Sequence, residues 1–278
     1  MKNCLPLNLF VFLWLLTNFL FPRFEKEFQT KLILTKSGDV LEIPEGTQNL
    51  LGTLSLEGKE NIIIRGKGVD VSILSFAQQE DGAEGLKIIN CNNIQLEHFT
   101  IQDSKGDGIK VQDTDGITFV NVKTEWTKGP NSKNGAYGIY PVQCRNVVID
   151  SCISIGASDA GIYVGQSEQI IVKNSEAFHN VAGIEIENSF NVDVFDNYAH
   201  HNTGGILIFD LPDLIVKKGQ NVRVFDNRVE ENNLDNFAPP GNIVSTVPAG
   251  TGIMVLATSD IEIFNNRILN NKSVGTGI

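Results

Sequence analysis

The segment 134–212 repeats one short motif four times, as Gly138-Ile139-Tyr140-Pro141, Gly161-Ile162-Tyr163-Val164, Gly183-Ile184-Glu185-Ile186 and Gly205-Ile206-Leu207-Ile208. Successive glycines of this motif are 23, 22 and 22 residues apart. The same register finds glycine-led apolar runs upstream at Gly85 and Gly108 and downstream at Gly252 and Gly277. Self-similarity at a fixed period indicates one supersecondary unit that is stacked on copies of itself.

Two further apolar runs recur inside each unit. The second run is represented by Asn146-Val147-Val148-Ile149, and the weaker third run by Asn197-Tyr198-Ala199. Each run alternates with a period of two and is bounded by Gly, Asn, Asp or Ser, which is typical of short strands separated by turns. No helix fits between the runs. The sequence therefore predicts an all-β fold, a right-handed, single-stranded parallel β-helix with 22–23-residue turns and three short strands per turn.

The N-terminal residues have a different character. Lys2 precedes an apolar run over residues 5–21, which predicts a secretory signal peptide over residues 1–22. No small-residue cleavage pattern follows this run, so an uncleaved membrane anchor is the alternative. Either reading predicts an exported protein, periplasmic or extracellular, with no membrane contact beyond this segment.

Residues 23–60 are expected to form an N-terminal cap and the first turn. Phe24, Phe28 and Leu32 have helical spacing, so a short amphipathic helix would cover the open end of the solenoid. The β-helix itself then occupies residues 61–278. The chain closes on the opening of another glycine-led strand, which leads us to expect that the solenoid is truncated at its C-terminus.

Charge and cysteine content limit the partners and the cross-links. The net charge of −11 and the pI of about 4.8 argue against nucleic acid and anionic membranes, which both attract basic surfaces. After the apolar segment an odd number of cysteines remains, Cys91, Cys144 and Cys152. Cys91 and Cys144 share one position in the repeat but lie two turns apart, roughly 10 Å, beyond the reach of a disulfide. We expect free buried thiols and a monomer.

Two long intervals interrupt the period. Gly108 and Gly138 are 30 residues apart, with the excess around Trp126, and Gly205 and Gly252 are 47 residues apart, with much of the excess around Phe237. Insertions in a solenoid form loops on one face, which is often the binding face. Because both insertions precede a glycine-led strand, they are expected to overhang the same edge.

The glycine-led strands supply the candidate site. Their inward Ile and Val leave one outward column of residues, which reads Lys110, Tyr140, Tyr163, Glu185, Leu207 and Met254. Tyr140 and Tyr163 would stack about 4.8 Å apart and, with Trp126, suit sugar rings. Glu185 and Glu187 share a strand face, roughly 6–7 Å apart, as in acid/base pairs that cleave glycosides. The alternative for these glutamates is an ordinary solvated surface.

Several weaker candidates surround this column. The catalytic set comprises Glu185, Glu187, Asp210 and Tyr163, and the substrate-binding set comprises Trp126, Tyr137, Tyr140, Gln143, Asp159, Phe209 and His201. The alternative for Gln143, with Gln166 and Asn188, is a hydrogen-bonded polar ladder at stacked turns. His201 would stack on His179, but no third ligand has metal-site spacing, so no metal is predicted.

The repeats resemble the pectate-lyase-like parallel β-helix superfamily over residues 40–278. More narrowly, three segments resemble exported bacterial parallel β-helix repeat proteins, namely Gly135-Ala136-Tyr137-Gly138-Ile139-Tyr140-Pro141-Val142-Gln143-Cys144, Gly156-Ala157-Ser158-Asp159-Ala160-Gly161-Ile162-Tyr163-Val164-Gly165-Gln166 and Ile208-Phe209-Asp210-Leu211-Pro212. This resemblance implies a fold, and a fold does not define a reaction.

A more distant resemblance is to mannuronan epimerases, which have Tyr-Gly-x-Asp-Pro-His-Asp/Glu on a β-helix strand. The matching segment is Tyr137-Gly138-Ile139-Tyr140-Pro141-Val142-Gln143. Tyr140, Val142 and Gln143 replace the acidic, His and acidic positions, so the proton-transfer groups of that family are missing. The paired Asp, Gly-His-Gly and Arg-Ile-Lys motifs of polygalacturonases and the calcium nonapeptide repeat are also absent from the sequence. No cofactor is implied, and Ca²⁺ is left open.

These observations lead to two hypotheses. In the first, the protein binds an extended, uronate-containing polysaccharide along the glycine-led face and acts on it as a lyase, epimerase or hydrolase, or only binds it. In the second, the protein is a non-enzymatic cell-envelope scaffold whose solenoid presents a surface to a protein partner. The sequence alone does not decide between them.

Overall fold

The computed structural model describes residues 24–278, so the predicted signal or anchor over residues 1–22 lies outside the described residues. Residues 24–34 form the predicted helix. Its Phe28 and Leu32 are buried in the core of the solenoid. The Gln29 side chain pairs with the backbone of Ser55, as an extra strand would, and so covers the first exposed edge. Between residues 24 and 278, no helix has the length and apolarity needed to cross a membrane.

The remaining chain consists of short strands and one turn of 3-10 helix. The strands in the first half are β1 (Val40–Glu42), β2 (Gly46–Asn49), β3 (Gly52–Glu57), β4 (Glu60–Arg65), β5 (Ser72–Ser75), β6 (Asp81–Ile89), β7 (Asn92–Gln102), β8 (Ile109–Gln112), β9 (Asp115–Glu125), β10 (Tyr137–Val142), β11 (Arg145–Asp150) and β12 (Ile153–Ile155). Those in the second half are β13 (Ala160–Gly165), β14 (Glu168–Lys173), β15 (Glu176–Phe178), β16 (Ala182–Glu187), β17 (Phe190–Phe195), β18 (Tyr198–His200), β19 (Gly204–Phe209), β20 (Gln220–Phe225), β21 (Arg228–Glu230), β22 (Thr251–Leu256), β23 (Ser259–Phe264), β24 (Arg267–Leu269) and β25 (Val274–Gly277). The 3-10 turn, Ile243–Thr246, lies between β21 and β22.

The strands stack as the repeat predicts, each on its counterpart in the next turn, in parallel. The glycine-led strands form one nine-stranded sheet in the order β25-β22-β19-β16-β13-β10-β8-β6-β3. The second strands of successive turns form one ladder and the third strands form another. The two ladders belong to one sheet, because β7 and β9 are long strands that each contribute to both. Ile139, Ile162, Ile184 and Ile206 occupy one aligned column, and all are fully buried. The predicted parallel β-helix and its turn length are confirmed.

The glycine of the motif marks the closest approach between turns. A Cβ placed on any of six successive glycines would lie 2.5 to 3.0 Å from the carbonyl oxygen of the equivalent glycine in the following turn, and these are Gly85, Gly108, Gly138, Gly161, Gly183 and Gly205. At Gly138 that Cβ would also meet the hydroxyls of Thr124 and Ser154. Real Cβ atoms do not tolerate such distances, so only glycine fits this position.

Buried asparagines form the polar ladders of the solenoid. In one ladder Asn180 donates its backbone N–H to Asn202, which donates to Asn232, which donates to Asn271, through distances of 2.9, 3.2 and 2.9 Å. A second ladder joins Asn197, Asn227 and Asn266. The expected ladder at Gln143, Gln166 and Asn188 is different, because Gln166 and Asn188 bond to the segment 211–216 instead.

The three cysteines of the described residues are free and buried, as predicted. Cys91, Cys144 and Cys152 each direct the thiol at a backbone carbonyl of the core. Burial raises the pKa of Cys144 and of Cys152 to about 12, which keeps these thiols protonated and unreactive.

Replacing Asn202 by Ala removes a rung of the first ladder. We expect the free energy of unfolding to fall by about 2–4 kcal/mol, because the backbone N–H of Asn180 and the carbonyl of Ala177 lose their buried partner. Urea denaturation measures this loss. Asn131→Ala is the control, since Asn131 is exposed and bonds only locally, and a similar loss in both variants would contradict a special role for the ladder.

Candidate active site

The outward column of the glycine-led face lies where the sequence predicts. Lys110, Tyr140, Tyr163, Glu185 and Leu207 follow one another on consecutive turns of the sheet. The loop 231–250, which contains the Phe237 insertion, folds over this face. Its residues Val244 and Val247 form a second apolar cluster with outward-facing side chains of the sheet, namely Ala160, Tyr163, Val181, Ala182, Leu207 and Phe209. The expectation that this insertion overhangs the glycine-led strands is confirmed.

Glu185 is buried under this loop, so the solvated-surface alternative is wrong for it. Only 1% of the residue is exposed, and its Oε2 atom has no hydrogen-bond partner among the described residues. Burial raises the pKa of Glu185 well above its ordinary value, and the nearby carboxylates of Asp159 and Glu187 raise it further. A carboxyl group in this position holds its proton.

Asp159 is the hydrogen-bond partner of Glu185. It lies in the turn before β13, is 5% exposed, and accepts a hydrogen bond of 3.0 Å from the side-chain amide of Asn242 in the covering loop. Burial raises the pKa of Asp159 to about 7, while the Asn242 amide opposes that rise. Because Asn242 donates to Asp159 and no group donates to the free oxygen of Glu185, the shared proton belongs to Glu185. Asp159 then accepts it as a carboxylate.

Glu187 lies two residues beyond Glu185 on β16 and is also buried, at 6% exposure. Burial raises the pKa of Glu187, and a hydrogen bond with the Tyr163 hydroxyl lowers it. Glu187 therefore has a donor that Glu185 does not have. The two carboxyl groups of one strand are in different environments, which is how enzymes separate an acid from a base.

Three tyrosines form the wall beside these acids. The ring centroids of Tyr137 lie 4.4 Å from Tyr140 and 4.5 Å from Tyr163, and those of Tyr140 and Tyr163 are 5.0 Å apart. Burial raises the pKa of Tyr140 to about 12 and also raises the pKa values of Tyr137 and Tyr163. The three hydroxyls therefore stay protonated and can donate hydrogen bonds.

Asp107 belongs to the same cluster, and sequence reasoning missed it. It accepts a hydrogen bond of 3.3 Å from the backbone N–H of Tyr137. Burial raises its pKa to about 6, and Lys110 opposes the rise. The ammonium of Lys110 also lies 5.1 Å from the centre of the Tyr140 ring. The available signal was the repeat register, which aligns Asp107, just before Gly108, with Tyr137, just before Gly138.

Trp126 is not placed to stack on a ligand. It is 5% exposed, and its indole N–H donates to the backbone oxygen of Ser104 at 2.8 Å. Phe209 is 1% exposed and lies in the apolar cluster under the loop. These two aromatics stabilise the walls of the site, so the expectation of an accessible tryptophan at the sugar site is wrong.

The other predicted residues lie elsewhere. Asp210 follows the far end of β19 and accepts a hydrogen bond from the backbone of Lys218. Gln143 lies at the equivalent end of β10, on a separate open cavity of about 710 Å³. His201 lies in a third place, where it bonds to His200 at 2.7 Å and to Glu231 at 3.1 Å. The structure brings together Asp159, Glu185, Glu187 and the three tyrosines, and it gives these other residues no contact with the acid pair.

Metal binding has no support from the described part of the chain. No group of three or more His, Cys, Asp or Glu among residues 24–278 is arranged to hold a metal ion.

Comparison with known proteins identifies the class. The family described as right handed beta helix region matches residues 60–213, more than half of the chain, so the chain belongs to that family. This match agrees with the stacked parallel strands, which form a right-handed parallel β-helix. No curated protein sequence matches the chain.

Solved structures with the same fold act on or bind polysaccharides. The mannuronan C-5 epimerase AlgE4 A-module of Azotobacter vinelandii has a TM-score of 0.63 at 17% identity, covering 86% of this chain and 65% of its own. The family 28 exopolygalacturonase of Yersinia enterocolitica has a TM-score of 0.55 at 11% identity, covering 91% and 64%. The tailspike protein of E. coli bacteriophage HK620, in complex with a pentasaccharide, has a TM-score of 0.57 at 15% identity, covering 82% and 50%. The chain thus spans less than two thirds of each of these proteins, and the likeness shows the fold.

The burial of Glu185 predicts a specific dependence of stability on pH. Its pKa is raised in the folded state, so its contribution is fully present below the unfolded value of 4.5 and is lost as the pH rises through the folded value. Stability should therefore decline with rising pH from about 5 upward, at a rate of at most about 1.4 kcal/mol per pH unit for each proton. In Glu185→Gln this slope should become smaller.

Urea denaturation at pH 5, 6, 7 and 8 measures the slope. Glu168→Gln is the matched control, because Glu168 is an exposed carboxylate paired with Arg145 at 3.3 Å, and it should leave the slope as in the wild type. An unchanged slope in Glu185→Gln would show that Glu185 does not hold a proton in the fold.

Proposed function

We propose that the protein binds an extended polysaccharide along its glycine-led face and cleaves it by general acid–base catalysis. One observation carries this proposal: the carboxyl group of Glu185 is fully buried, with its Oε2 atom unpartnered among the described residues, and lies close to the buried Asp159 and a wall of tyrosines. A carboxylic acid that is neutral near pH 7 can protonate the oxygen of a leaving sugar. The same acid in water would already be ionised.

The roles follow from the environments of the groups. Glu185 is the proposed acid, and Asp159 holds its proton in place. Glu187 is the proposed base, because it has a hydroxyl donor in Tyr163 and is the less strongly desolvated of the two glutamates. Two carboxyl groups flanking a glycosidic bond, one neutral and one charged, are what hydrolysis of that bond requires. Tyr163 would position Glu187 and hydrogen-bond the sugar.

The tyrosines and lysines suit the polysaccharide itself. Tyr140 is half-buried and offers the accessible part of the aromatic wall. Lys87 and Lys110 precede it in the same outward column, on adjacent turns about 4.8 Å apart. This spacing is close to that of successive sugars in an extended chain, so the lysines could pair with carboxylates of a uronate-containing glycan. The polysaccharide activities named for the epimerase and the exopolygalacturonase support this substrate class.

A second candidate function rests on a different surface. Phe195, Phe225 and Phe264 stack 5.0 Å apart on the second face of the solenoid, and 41% of Phe264 is exposed. Their rings are nearly parallel and cover one another, so they present edges outward instead of the flat faces that stack on sugars. Such a ladder suits an apolar protein partner. It supports the alternative of an exported envelope scaffold.

A panel of neutral, amino and uronate oligosaccharides tests the first function. Binding is measured by titration calorimetry, and products by new reducing ends and by the ultraviolet absorbance of an unsaturated sugar. Reducing ends without that absorbance support hydrolysis, and the absorbance indicates a lyase. Trp126 fluorescence is not a suitable probe, because the indole is buried.

Variants locate the activity in the site. Tyr140→Ala should weaken binding roughly tenfold or more, since an aromatic contact contributes about 0.5–1.5 kcal/mol beyond its buried area. Glu185→Gln should retain binding and lose turnover by a factor of about 10²–10⁴. Tyr198→Ala is the control, because Tyr198 stacks on His200 on a different face. If binding and product formation are unchanged in Tyr140→Ala and Glu185→Gln, the activity does not lie in this site. If no oligosaccharide of the panel binds or reacts, the scaffold function is favoured.

A further inference from the structure

Residues 236–248, the middle of the loop 231–250, are built as one internally bonded unit. The side-chain amide of Asn236 donates to the backbone oxygens of Val244 and Val247, both at 2.9 Å, so the 3-10 turn is held to the start of the loop. Val244 and Val247 are buried against the sheet at 0% and 4% exposure. Residues 236–248 are thus ordered internally and rest on the glycine-led face mainly through apolar contact. The two ends of the loop are fixed to the solenoid by hydrogen bonds, through Asn232 in the asparagine ladder and through the backbone of Gly250 to Thr203.

This loop also seals the acid pair. Glu185 is 1% exposed and Asp159 is 5% exposed beneath it. One polar contact from the loop reaches the acids, the hydrogen bond of 3.0 Å from Asn242 to Asp159. A glycan can reach Glu185 only if the loop moves.

We propose that residues 236–248 form a lid whose closure is coupled to the shared proton of Asp159 and Glu185, so that the lid opens when the pair becomes fully ionised. In the closed state one proton joins the two carboxyl groups, and Asn242 completes the arrangement. Loss of that proton leaves two adjacent carboxylates in a closed, apolar site, where like charges without water are strongly unfavourable. Opening the lid admits water and the glycan, and reclosure over the bound glycan restores the buried environment in which Glu185 holds the proton that it donates as the acid.

Within residues 24–278, the groups that face the acid pair include no cation that could neutralise it after it ionises, so relief of the repulsion must come from opening of the lid. The sheet contributes the carboxyl group of Glu187, the neighbouring turn contributes Asp107, and the three tyrosines contribute neutral hydroxyls. Lys110 is a nearby cation, and its effect is on Asp107. Residues 231–250 contain no Lys, Arg or His. The acidic residues at the anchored start of the loop are Glu231, which pairs with His201 at 3.1 Å, and Asp235, which is exposed.

Burial of the pair gives the sign of the effect. The pKa values of Asp159 and Glu185 are raised, so the closed state binds more protons than an open, hydrated state. Closure is therefore favoured at acidic pH and weakens as the pH rises through the raised pKa of Glu185. For one proton, the open fraction can increase by up to about tenfold per pH unit.

The inference concerns access to the proposed active site, but its test needs no polysaccharide. Hydrogen–deuterium exchange of backbone amides in peptides covering 236–250 is compared between wild type and Glu185→Gln at each pH from 5.5 to 8.5. The intrinsic pH dependence of exchange and the effects of all other ionisable groups are common to both proteins and cancel in the ratio. Peptides covering β23 and β24 serve as the internal reference.

We expect lid exchange in the wild type to rise relative to Glu185→Gln by about tenfold or more across this range, with no change at β23 and β24. Glu168→Gln should behave like the wild type. A constant ratio at every pH would overturn the coupling. If the protein binds no glycan of the panel but lid exchange still depends on pH as expected, the proposed function is wrong and the proposed lid stands.

Asn242→Ala provides a test that does not depend on the folding of Glu185→Gln. It removes the polar contact between lid and acid pair while leaving the acids in place, so lid exchange should increase severalfold already at pH 5.5, where the wild type is closed. Thr246→Ala is the control, because its exposed hydroxyl bonds only to Ile243 within the loop. Equal exchange in Asn242→Ala and wild type at pH 5.5 would show that Asn242 does not hold the lid.

Discussion

The close contact between glycines of successive turns is the constraint on which this molecule depends. In each turn the carbonyl oxygen of one glycine occupies the place that a Cβ would take on the preceding one. This contact fixes the register of the glycine-led sheet. It also places the inward Ile and Val in continuous columns and sets the outward side chains one strand spacing apart. Any residue with a side chain at this position would push two turns apart and disturb both columns.

A solenoid with so thin a core must also satisfy the polar groups of its turns. The ladders through Asn202 and Asn227 do so inside the protein, where each amide serves the backbone of its own turn and of a neighbouring one. Buried amides of this kind are stabilising only when every partner is present. The ladders therefore reinforce the register that the glycines set, and no cross-link between the buried cysteines contributes.

The site arises where the repeat is interrupted. A regular solenoid would leave Glu185 and Glu187 facing water, where both would be ordinary carboxylates. The insertion of residues 231–250 changes this face into a second small core, and the acids are enclosed with it. Their proton affinity is thus produced by a loop that is distant in sequence, as the separation of 83 residues between Asn242 and Asp159 shows. Positions 140 and 143, which are acidic in the mannuronan epimerase motif, are Tyr and Gln here, and the buried acidic residues of this chain lie on the next two turns.

The sequence by itself determined the β-helix, its period, the capping helix around Phe28, the free cysteines and the outward column that contains Tyr163 and Glu185. These features depend on local alternation and on a repeat that each turn must obey, so they can be read without knowing distant contacts. Only the tertiary structure decided that Glu185 is buried, that Asp159 is its partner and that Trp126 is internal. Burial and proton sharing depend on which loop covers which strand, and a periodic pattern contains no information about the path of a loop that leaves the period.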